Sequence, residues 1–585
     1  MNATFARVGD RSHRAWTRAL EVTARATRDP RRTLPRALAE WAEAYGDRSA
    51  LIGELESYSF VRLSTRINQY ARWALAQETS KGATVALMMR NRPEYAAIWL
   101  GLTRVGVVVA LIGPDLQGAA LAHALQVADA KIAIAGPDGD AALRAAGFRG
   151  EVWTYGPGER RLDDAVDLYS GMALAEGDAP EVRLDDRALR IFTSGTTGFP
   201  KAAEVSHRKA IAWTHWFSGL AGLTEEDRLY NCLPMHHSVG GVVAIGAPLV
   251  GGGSAVIAPK FSASRFWDDV ARHECTAFQY IGELCRYLVA APTHISERRA
   301  KLTLALGNGL APGVWSAFCE RFPAIRVLEF YASTEGNVWL YNVEGRIGAL
   351  GRLPPFVAAK APIALARFDE DAQAPLRGPD GFCELCDDGE PGEALGRISG
   401  DAASRFEGYS DAGETEKKVL RKVFEPGDAW MRTGDLMSRD SDGYYRFVDR
   451  VGDTFRWKGE NVAAEEVAAA LSQCPGVVDA LVFGVKVPGH EGRAGMAALA
   501  IDARFDLGEL ERRLEALPRW AAPVFLRFTD EIARTDTFKP RRALYVAQGF
   551  DPAISEDQLF VLGESGYLPL AQDVFAKITE GALRL

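Results

Sequence analysis

An alternation of apolar runs and helical segments constrains this chain more than any other feature. Val85-Ala-Leu-Met-Met89 is a short apolar run, residues 92–106 read as a helix closed by Gly106, and Val107-Val-Val-Ala-Leu-Ile112 is apolar again. A short apolar run bounded by turn signals suits a strand covered on both faces, and a helix between two such runs makes a βαβ unit. An α/β architecture is therefore predicted. The rhythm returns further on, where Thr303-Leu-Ala-Leu306 runs into Gly307-Asn308-Gly309 and Arg326-Val-Leu-Glu-Phe-Tyr331 runs into a polar turn. Loops at such strand ends are where this class of fold binds ligands. Residues 33–45 carry Leu34, Leu38, Trp41 and Ala42 at helical spacing. Asp, Glu, Gly and Pro concentrate between 366 and 395, which predicts loops and hairpins in a second, more β-rich subdomain. From Val462 onward a helix-like 463–471 and an apolar 477–487 predict a separate C-terminal domain.

At 585 residues, with 47% hydrophobic and 25% charged residues, the chain has an ordinary soluble composition and room for several domains. Lysine plus arginine is 68 against 77 acids, a net charge of −9, which gives no electrostatic drive toward nucleic acid. The seven cysteines are odd in number and scattered, unlike a secreted disulfide scaffold, so a reducing, cytoplasmic compartment is expected. Cys383-Glu-Leu-Cys386 has metal or redox spacing, but no second pair or nearby histidine completes a zinc site. Arginines interrupt residues 1–36, which carry no secretion signal. The uncharged stretch 238–259 holds six glycines and two prolines; it is read as buried strand and turn rather than a bilayer helix, so membrane contact is expected to be peripheral at most.

The sharpest local signal is Ile191-Phe-Thr-Ser-Gly-Thr-Thr-Gly-Phe-Pro-Lys201, which places four hydroxyl residues, two glycines and a lysine within nine positions. Gly195 and Gly198 let backbone N–H groups turn inward, Thr193, Ser194, Thr196 and Thr197 donate further hydrogen bonds, and Lys201 adds a full charge, so the loop suits phosphate. It departs from a Walker loop, because its glycines are three apart and a proline precedes the lysine. The segment resembles the signature loop of the adenylate-forming enzymes, the superfamily of acyl-CoA synthetases, luciferases and peptide-synthetase adenylation domains.

Further segments resemble that superfamily in order. Tyr331-Ala-Ser-Thr-Glu-Gly-Asn337 is similar to its acidic motif, Arg432-Thr-Gly-Asp435 to its ribose-binding aspartate motif, and Asp449-Arg450 to its ribose-contacting arginine before the hinge. Trp457-Lys-Gly-Glu-Asn461 resembles the motif that borders the pantetheine channel, and Thr535-Asp-Thr-Phe-Lys539 the mobile C-terminal lysine. Tyr280-Ile-Gly-Glu-Leu-Cys-Arg-Tyr287, Leu306-Gly-Asn-Gly-Leu310 and Gly566-Tyr-Leu-Pro-Leu570 resemble the fatty acid transport protein or very-long-chain acyl-CoA synthetase branch. The resemblance covers roughly residues 35–585. It implies a large N-terminal α/β domain of several subdomains, 1–451, and a smaller mobile α+β domain, 452–585, with Val451-Gly452-Asp453 as the hinge.

The activity implied is a two-step ligation of a long- or very-long-chain fatty acid through an acyl-AMP to coenzyme A, with ATP and magnesium. Thr193 through Gly198 with Lys201 would hold phosphates, and Asn308, Gly309, Tyr331, Ala332, Ser333 and Thr334 the nucleotide. Glu335 would hold the metal, Asp435 and Arg450 the ribose, and Lys539 the α-phosphate. Trp457, Lys458 and Gly459 would border coenzyme A. His237 would stand at the carboxylate, with Ser238, Gly240 and Tyr280 toward the acyl chain. Segments 213–217, 239–245 and 280–287 are candidate channel walls; the small residues at 240, 241 and 246 suit either room for a chain or plain close packing. A bile-acid, steroid or carnitine-like substrate, an acceptor other than coenzyme A, and a fatty acid carrier with little catalysis stay open as alternatives, as does a homodimer.

Overall fold

The computed structural model describes residues 2–583 apart from 176, 194–198, 361, 370–371, 402–403, 459, 491, 516, 536–537 and 564–565; for 2–10 and 461 it describes backbone alone. The chain divides into two compact units, residues 1–351 with 398–419, and residues 352–397 with 420–585. This division is one of packing. The hinge expected at 451–453 concerns rotation and is taken up below.

The first unit holds two largely parallel sheets. In one, Glu151–Thr154, Ile132–Ala135, Thr84–Met88, Val108–Leu111 and Arg187–Thr193 lie side by side in parallel, and Lys201–Ser206 closes the edge antiparallel to Arg187–Thr193. The βαβ expectation is met by Thr84–Met88, the helix Pro93–Arg104 and Val108–Leu111, whose strand residues are all buried because helices cover both faces. In the other sheet, eight strands among the described residues run in the order Trp339–Asn342, Arg326–Ala332, Leu304–Asn308, Ala277–Ile281, Arg228–Asn231, Ser254–Ile257, Ser49–Gly53, Ser57–Ser59, parallel except at its two edge strands.

Two segments differ from the sequence expectation. Residues 238–259 form a π-helical turn, Val239–Val243, and a helix, Ala244–Val250, before the strand Ser254–Ile257. Periodicity does not separate a fully buried helix from a buried strand, so the apolar run read equally well as either. The arginine-rich start is a helix, Asn2–Ala26. Ala15, Trp16, Ala19 and Ala26 form its buried stripe. It packs on the helix His207–Ala221, where the missing Cβ of Gly219 lets the two backbones approach, and Arg18 Nε donates to the Gly219 carbonyl at 2.6 Å. Among the described residues no helix is long and apolar enough to cross a membrane.

The second unit holds an antiparallel sheet built from Ala374–Pro375, Ile363–Asp369, Gly392–Arg397, Ala429–Arg439 and Val419–Arg421, with Tyr445–Arg450 beside Ala429–Arg439. The expected β-rich character of this region is thus present. A hairpin of Phe455–Trp457 with Glu460–Val462 follows, then a five-stranded sheet of Val477–Val485, Ala494–Ile501, Phe525–Thr529, Gln558–Gly563 and Gly566–Pro569. The helix Ala464–Leu471 packs on that sheet through Ala464, Val467, Ala468 and Leu471.

One buried charge cluster braces the first unit. Glu94, 0% exposed at the start of Pro93–Arg104, accepts hydrogen bonds from the hydroxyls of Tyr58 and Tyr70 and from Arg66 Nε at 2.6 Å. A carboxylate stripped of water needs these donors, and losing its one contacting cation leaves an uncompensated buried charge. Arg66→Met is expected to destabilise the protein by about 3–5 kcal/mol, with part restored in the Arg66→Met/Glu94→Gln double variant. Urea unfolding followed by tryptophan fluorescence measures both.

Candidate active site

Parallel strands deliver their C-terminal ends to the same side of a sheet, and Thr193, Asn308, Gly309, Tyr331, Thr334 and Glu335 lie at or just beyond such strand ends in the two sheets of the first unit. The strands flanking the phosphate loop, Arg187–Thr193 and Lys201–Ser206, pair antiparallel, with Thr193 opposite Lys201. Ser194, Gly195, Thr196, Thr197 and Gly198 lie outside the described residues. Lys201 Nζ pairs with Glu414 and sits 5.8 Å from the centre of the Tyr409 ring. Hydrogen bonding from Lys201, then from Lys417, holds the Glu414 carboxyl down at about 2.

A segment just over 200 residues distant in sequence completes this corner. Residues 407–410 run along Lys201–Ser206: Glu204 N donates to Gly408 O at 3.0 Å, Ser410 N to Ala202 O at 2.9 Å, and Glu407 accepts from Ser206 N at 2.7 Å. Tyr409 is thereby set near Thr193 and Glu335, and its hydroxyl lies in the electrostatic field of the Glu335 carboxylate. Burial and the neighbouring Glu335 raise the Tyr409 hydroxyl well above its ordinary value, so it stays protonated.

Glu335 and Thr334 follow the strand Arg326–Ala332, and the Thr334 hydroxyl lies 3.0 Å from Ser238 Oγ. Ser333 Oγ accepts from Gly336 N at 3.1 Å, so this residue shapes the turn that presents Glu335. His237 precedes Ser238 and is half-buried, whereas His236 is buried and pushed down to about 4, a neutral core histidine. Lys209, on the helix His207–Ala221, places its ammonium 5.5 Å from the centre of the Trp213 ring, buried, without a hydrogen-bond partner among the described residues and in the field of Glu407 and Glu335.

Asn308 ends the strand Leu304–Asn308, and its Oδ1 is a buried acceptor without a partner among the described residues. Gly309 has φ +78°, a left-handed conformation that glycine alone adopts without strain. An orphaned acceptor here and an orphaned ammonium at Lys209 fit a ligand that brings both an amino group and anionic oxygens, as ATP does. Glu335 with triphosphate oxygens is a donor set suited to magnesium, which keeps few protein ligands.

Two expected acyl contacts need correction. A Cβ at Gly240 would lie 2.4 Å from the Pro234 carbonyl oxygen, at Gly241 1.9 Å from that of Met235, and at Gly246 2.3 Å from Thr214 Cγ2. These glycines serve close packing, and the space beside Gly240 is taken by backbone. Tyr280 is fully buried with its hydroxyl donating to Glu329, so it lies behind the strand ends.

In the second unit, Asp435 and Arg450 are paired across neighbouring strands, with Arg450 Nε 3.5 Å from Asp435 Oδ1. Trp457 is buried against the His490 ring at 5.4 Å, and Lys458 turns the hairpin with φ +52°. Gly459 lies outside the described residues. Lys539 is exposed and closes a turn with Thr535, whose N–H donates to the Lys539 carbonyl at 2.8 Å.

Sequence reasoning missed Lys209, Glu407, Tyr409 and Glu329. A charge on the inward face of an amphipathic helix and a lone acid inside Val327-Leu-Glu-Phe330 were the available signals for Lys209 and Glu329. Nothing local marks 407 or 409.

Two parallel sheets whose strand ends carry a phosphate hairpin, an acidic turn and an orphaned acceptor, joined in one chain to a second α+β unit, define the fold of an adenylate-forming enzyme. The family model of AMP-binding enzymes matches residues 38–390, and that of the AMP-binding enzyme C-terminal domain matches 466–539. Long-chain fatty acid transport protein 1 of Homo sapiens is 38% identical over 575 residues, covering 94% of this chain and 88% of that protein. Long-chain fatty acid transport protein 3 of Homo sapiens is 40% identical over 524 residues, covering 86% and 76%. ATP-bound MatB from Rhodopseudomonas palustris shares the fold with a TM-score of 0.75 at 23% identity, covering 89% of this chain and 100% of that one. The anthranilate CoA ligase AuaEII in complex with anthranoyl-AMP does so with a TM-score of 0.74 at 20% identity, covering 87% and 96%. The chain belongs to the AMP-binding enzyme family, in its fatty acid transport protein branch.

A titrating group adjoins Arg450. Asp449 is buried and accepts from Arg450 N at 2.8 Å, Thr454 Oγ1 at 3.3 Å and Ala464 N at 2.7 Å, tying Tyr445–Arg450 to the start of Ala464–Leu471. Burial raises its carboxyl from 3.8 to about 6 against those donors. A carboxyl that binds its proton more tightly when folded gives stability that is complete below its unfolded value and lost as pH rises through the folded one. Relative to Asp449→Asn, the wild-type protein is therefore expected to lose up to about 3 kcal/mol between about pH 4 and 7, with no further change above. Urea midpoints across that range check the sign and the window.

Proposed function

We propose that this chain is an ATP-dependent ligase that joins a long- or very-long-chain fatty acid to coenzyme A. The observation that carries the reading is the convergence of Thr193, Lys201, Tyr409, Thr334 and Glu335 on one corner of the first unit, in a chain whose relatives are named for long-chain fatty acids. A thiolate cannot displace oxide from a carboxylate. Activation solves this: a carboxylate oxygen attacks the α-phosphorus of ATP and pyrophosphate leaves, then the coenzyme A thiolate attacks the acyl carbon and AMP leaves. The protein's part is positioning and charge neutralisation of both displacements.

On this reading, the 193–201 loop cradles the β- and γ-phosphates with backbone N–H groups, the hydroxyls of Thr193, Ser194, Thr196 and Thr197, and Lys201. Thr334 donates to phosphate. Magnesium, when bound, screens the triphosphate charge, and Glu335 is its protein ligand. Asn308 accepts from the adenine amino group beside Gly309, Tyr331 and Ala332, while Asp435 accepts from the ribose hydroxyls next to Arg450. His237 and Ser238 face the reacting carboxylate. Apolar residues of 213–217 and 242–245 wall a dry channel, in which each buried methylene contributes ~0.8 kcal/mol. Lys539 neutralises the α-phosphate during adenylation; Trp457, Lys458 and Gly459 border the pantetheine arm after rotation about 451–453. Gly452, at φ +86°, suits a pivot, because other residues resist that conformation. Contact with a bilayer, the reservoir of such acids, is peripheral.

The reading is tested by AMP release over short, medium, long, very long and steroidal acids, with and without coenzyme A. Long acids are expected to give coenzyme A-dependent AMP, and a carrier without catalysis gives none with any acid. Lys539→Ala is expected to slow adenylation by about 100-fold or more and to leave thioester formation from supplied acyl-AMP within about a few fold. Equal damage to both half-reactions, measured separately, removes Lys539 from the α-phosphate.

A further inference from the structure

A carboxyl group in the middle of a parallel sheet costs desolvation, and the mechanism above gives Glu329 nothing to do. It is 3% exposed on the strand Arg326–Ala332, in register with Gly307 on one side and Asn342 on the other. Two donors reach its carboxylate, the Tyr280 hydroxyl from Ala277–Ile281 and Leu310 N at 3.1 Å, and the neighbouring Gly309 N–H also favours its ionised form. The same loop is gripped from two other sides. A Cβ on Gly282 would lie 1.8 Å from the Gly309 carbonyl oxygen, and one on Gly307 would lie 2.5 Å from the Tyr280 ring. With backbone and ring packed this closely, residues 308–310 have little room to move unless the carboxylate releases them. The orphaned Oδ1 of Asn308 stands at the start of that loop.

We propose that Glu329 is a positioning residue for the nucleotide, its carboxylate and the Tyr280 hydroxyl together holding the Asn308–Leu310 backbone where adenine is read. The proposal rests on the assignment of Asn308 and Gly309 to adenine given above. It gives Tyr280 the role of a brace for that loop, and it explains why Gly282, Gly307 and Gly309 all occur here. Burial raises the Glu329 carboxyl to about 7, against the pull of Tyr280, Leu310 and Gly309. The other titratable groups around the pair are thiols: Cys285 on Gly282–Ala290 acts on both Glu329 and Tyr280, Cys319 on Pro312–Arg321 acts on Tyr280 and Cys285, and Cys232 adjoins Cys285. Ionised, the group accepts both hydrogen bonds and is favoured by the Gly309 N–H. Protonated, it carries an O–H and accepts fewer, so the loop slackens as pH falls through neutrality.

The test is ATP binding by calorimetry on the full chain from pH 6 to 8.5, without fatty acid, for wild type, Glu329→Gln and Tyr280→Phe, with circular dichroism confirming the fold. Wild type is expected to bind ATP about five- to twentyfold more tightly than Glu329→Gln at pH 8.5. That ratio should fall toward one by pH 6, and using a ratio removes the titration of ATP itself. Tyr280→Phe deletes one donor to the ionised form, so it should move the midpoint upward in pH, an effect that simple loss of packing does not produce. In turnover, the KM for ATP should rise in Glu329→Gln while that for the acid changes less than twofold. A folded Glu329→Gln variant with wild-type ATP affinity at every pH, or a ratio independent of pH, overturns the proposal. If Glu329→Gln fails to fold, an unshifted midpoint in Tyr280→Phe does the same. Normal ATP binding with no acid-dependent turnover would instead count against the ligase reading alone, and absent ATP binding in the wild type against both.

Discussion

Everything at the site depends on strands that run the same way. Arg228–Asn231, Ala277–Ile281, Leu304–Asn308 and Arg326–Ala332 are parallel, so each must be joined to the next by a crossover, and their C-terminal ends collect along one edge. The loops that leave this edge carry His237 and Ser238, Gly282, Asn308 to Leu310, and Tyr331 to Glu335. Glycine is the consequence. Gly282 against Gly309 and Gly241 against Met235 are approaches in which a methyl group would overlap a carbonyl oxygen. The edge is built from backbone packed on backbone, which fixes its few polar side chains to a rigid support.

A second constraint is the handling of charge away from water. Glu94 is satisfied by two phenols and a guanidinium, Glu329 by a phenol and a backbone N–H group, and Asp449 by two backbone N–H groups and a hydroxyl. Each ties one secondary-structure element to another. Lys209 is the exception, a buried ammonium without a hydrogen bond among the described residues and in the field of Glu407 and Glu335, as a site prepared for anionic oxygens would leave it. The phosphate hairpin itself is tied down by residues 407–410, so Tyr409 reaches Glu335 and Thr193 only because that distant segment pairs with Lys201–Ser206.

Local chemistry made much of this legible in the sequence. The apolar runs around 85 and 109 and the helix between them followed from pattern alone, and the composition of 193–201 marked a phosphate loop whose flanks are the two strands of one hairpin. Legibility ended where the cause was non-local. Six arginines among the first 28 residues hid the short stripe Ala15, Trp16, Ala19 that makes Asn2–Ala26 a packed helix. The buried run 239–250 lacked the periodicity that separates helix from strand. Gly240 and Tyr280 had the residue types of an acyl channel, and only the structure places backbone carbonyls against Gly240 and the Glu329 carboxylate on the buried Tyr280 hydroxyl.

The central claim is that the strand-end edge activates a carboxylic acid on ATP before any thiol takes part. Exchange of labelled pyrophosphate into ATP, measured without coenzyme A and with a single fatty acid added, reads that step alone. The account predicts exchange that requires both the acid and magnesium and is strongest with long acyl chains. Protein that binds ATP but shows no exchange with any carboxylic acid would contradict it.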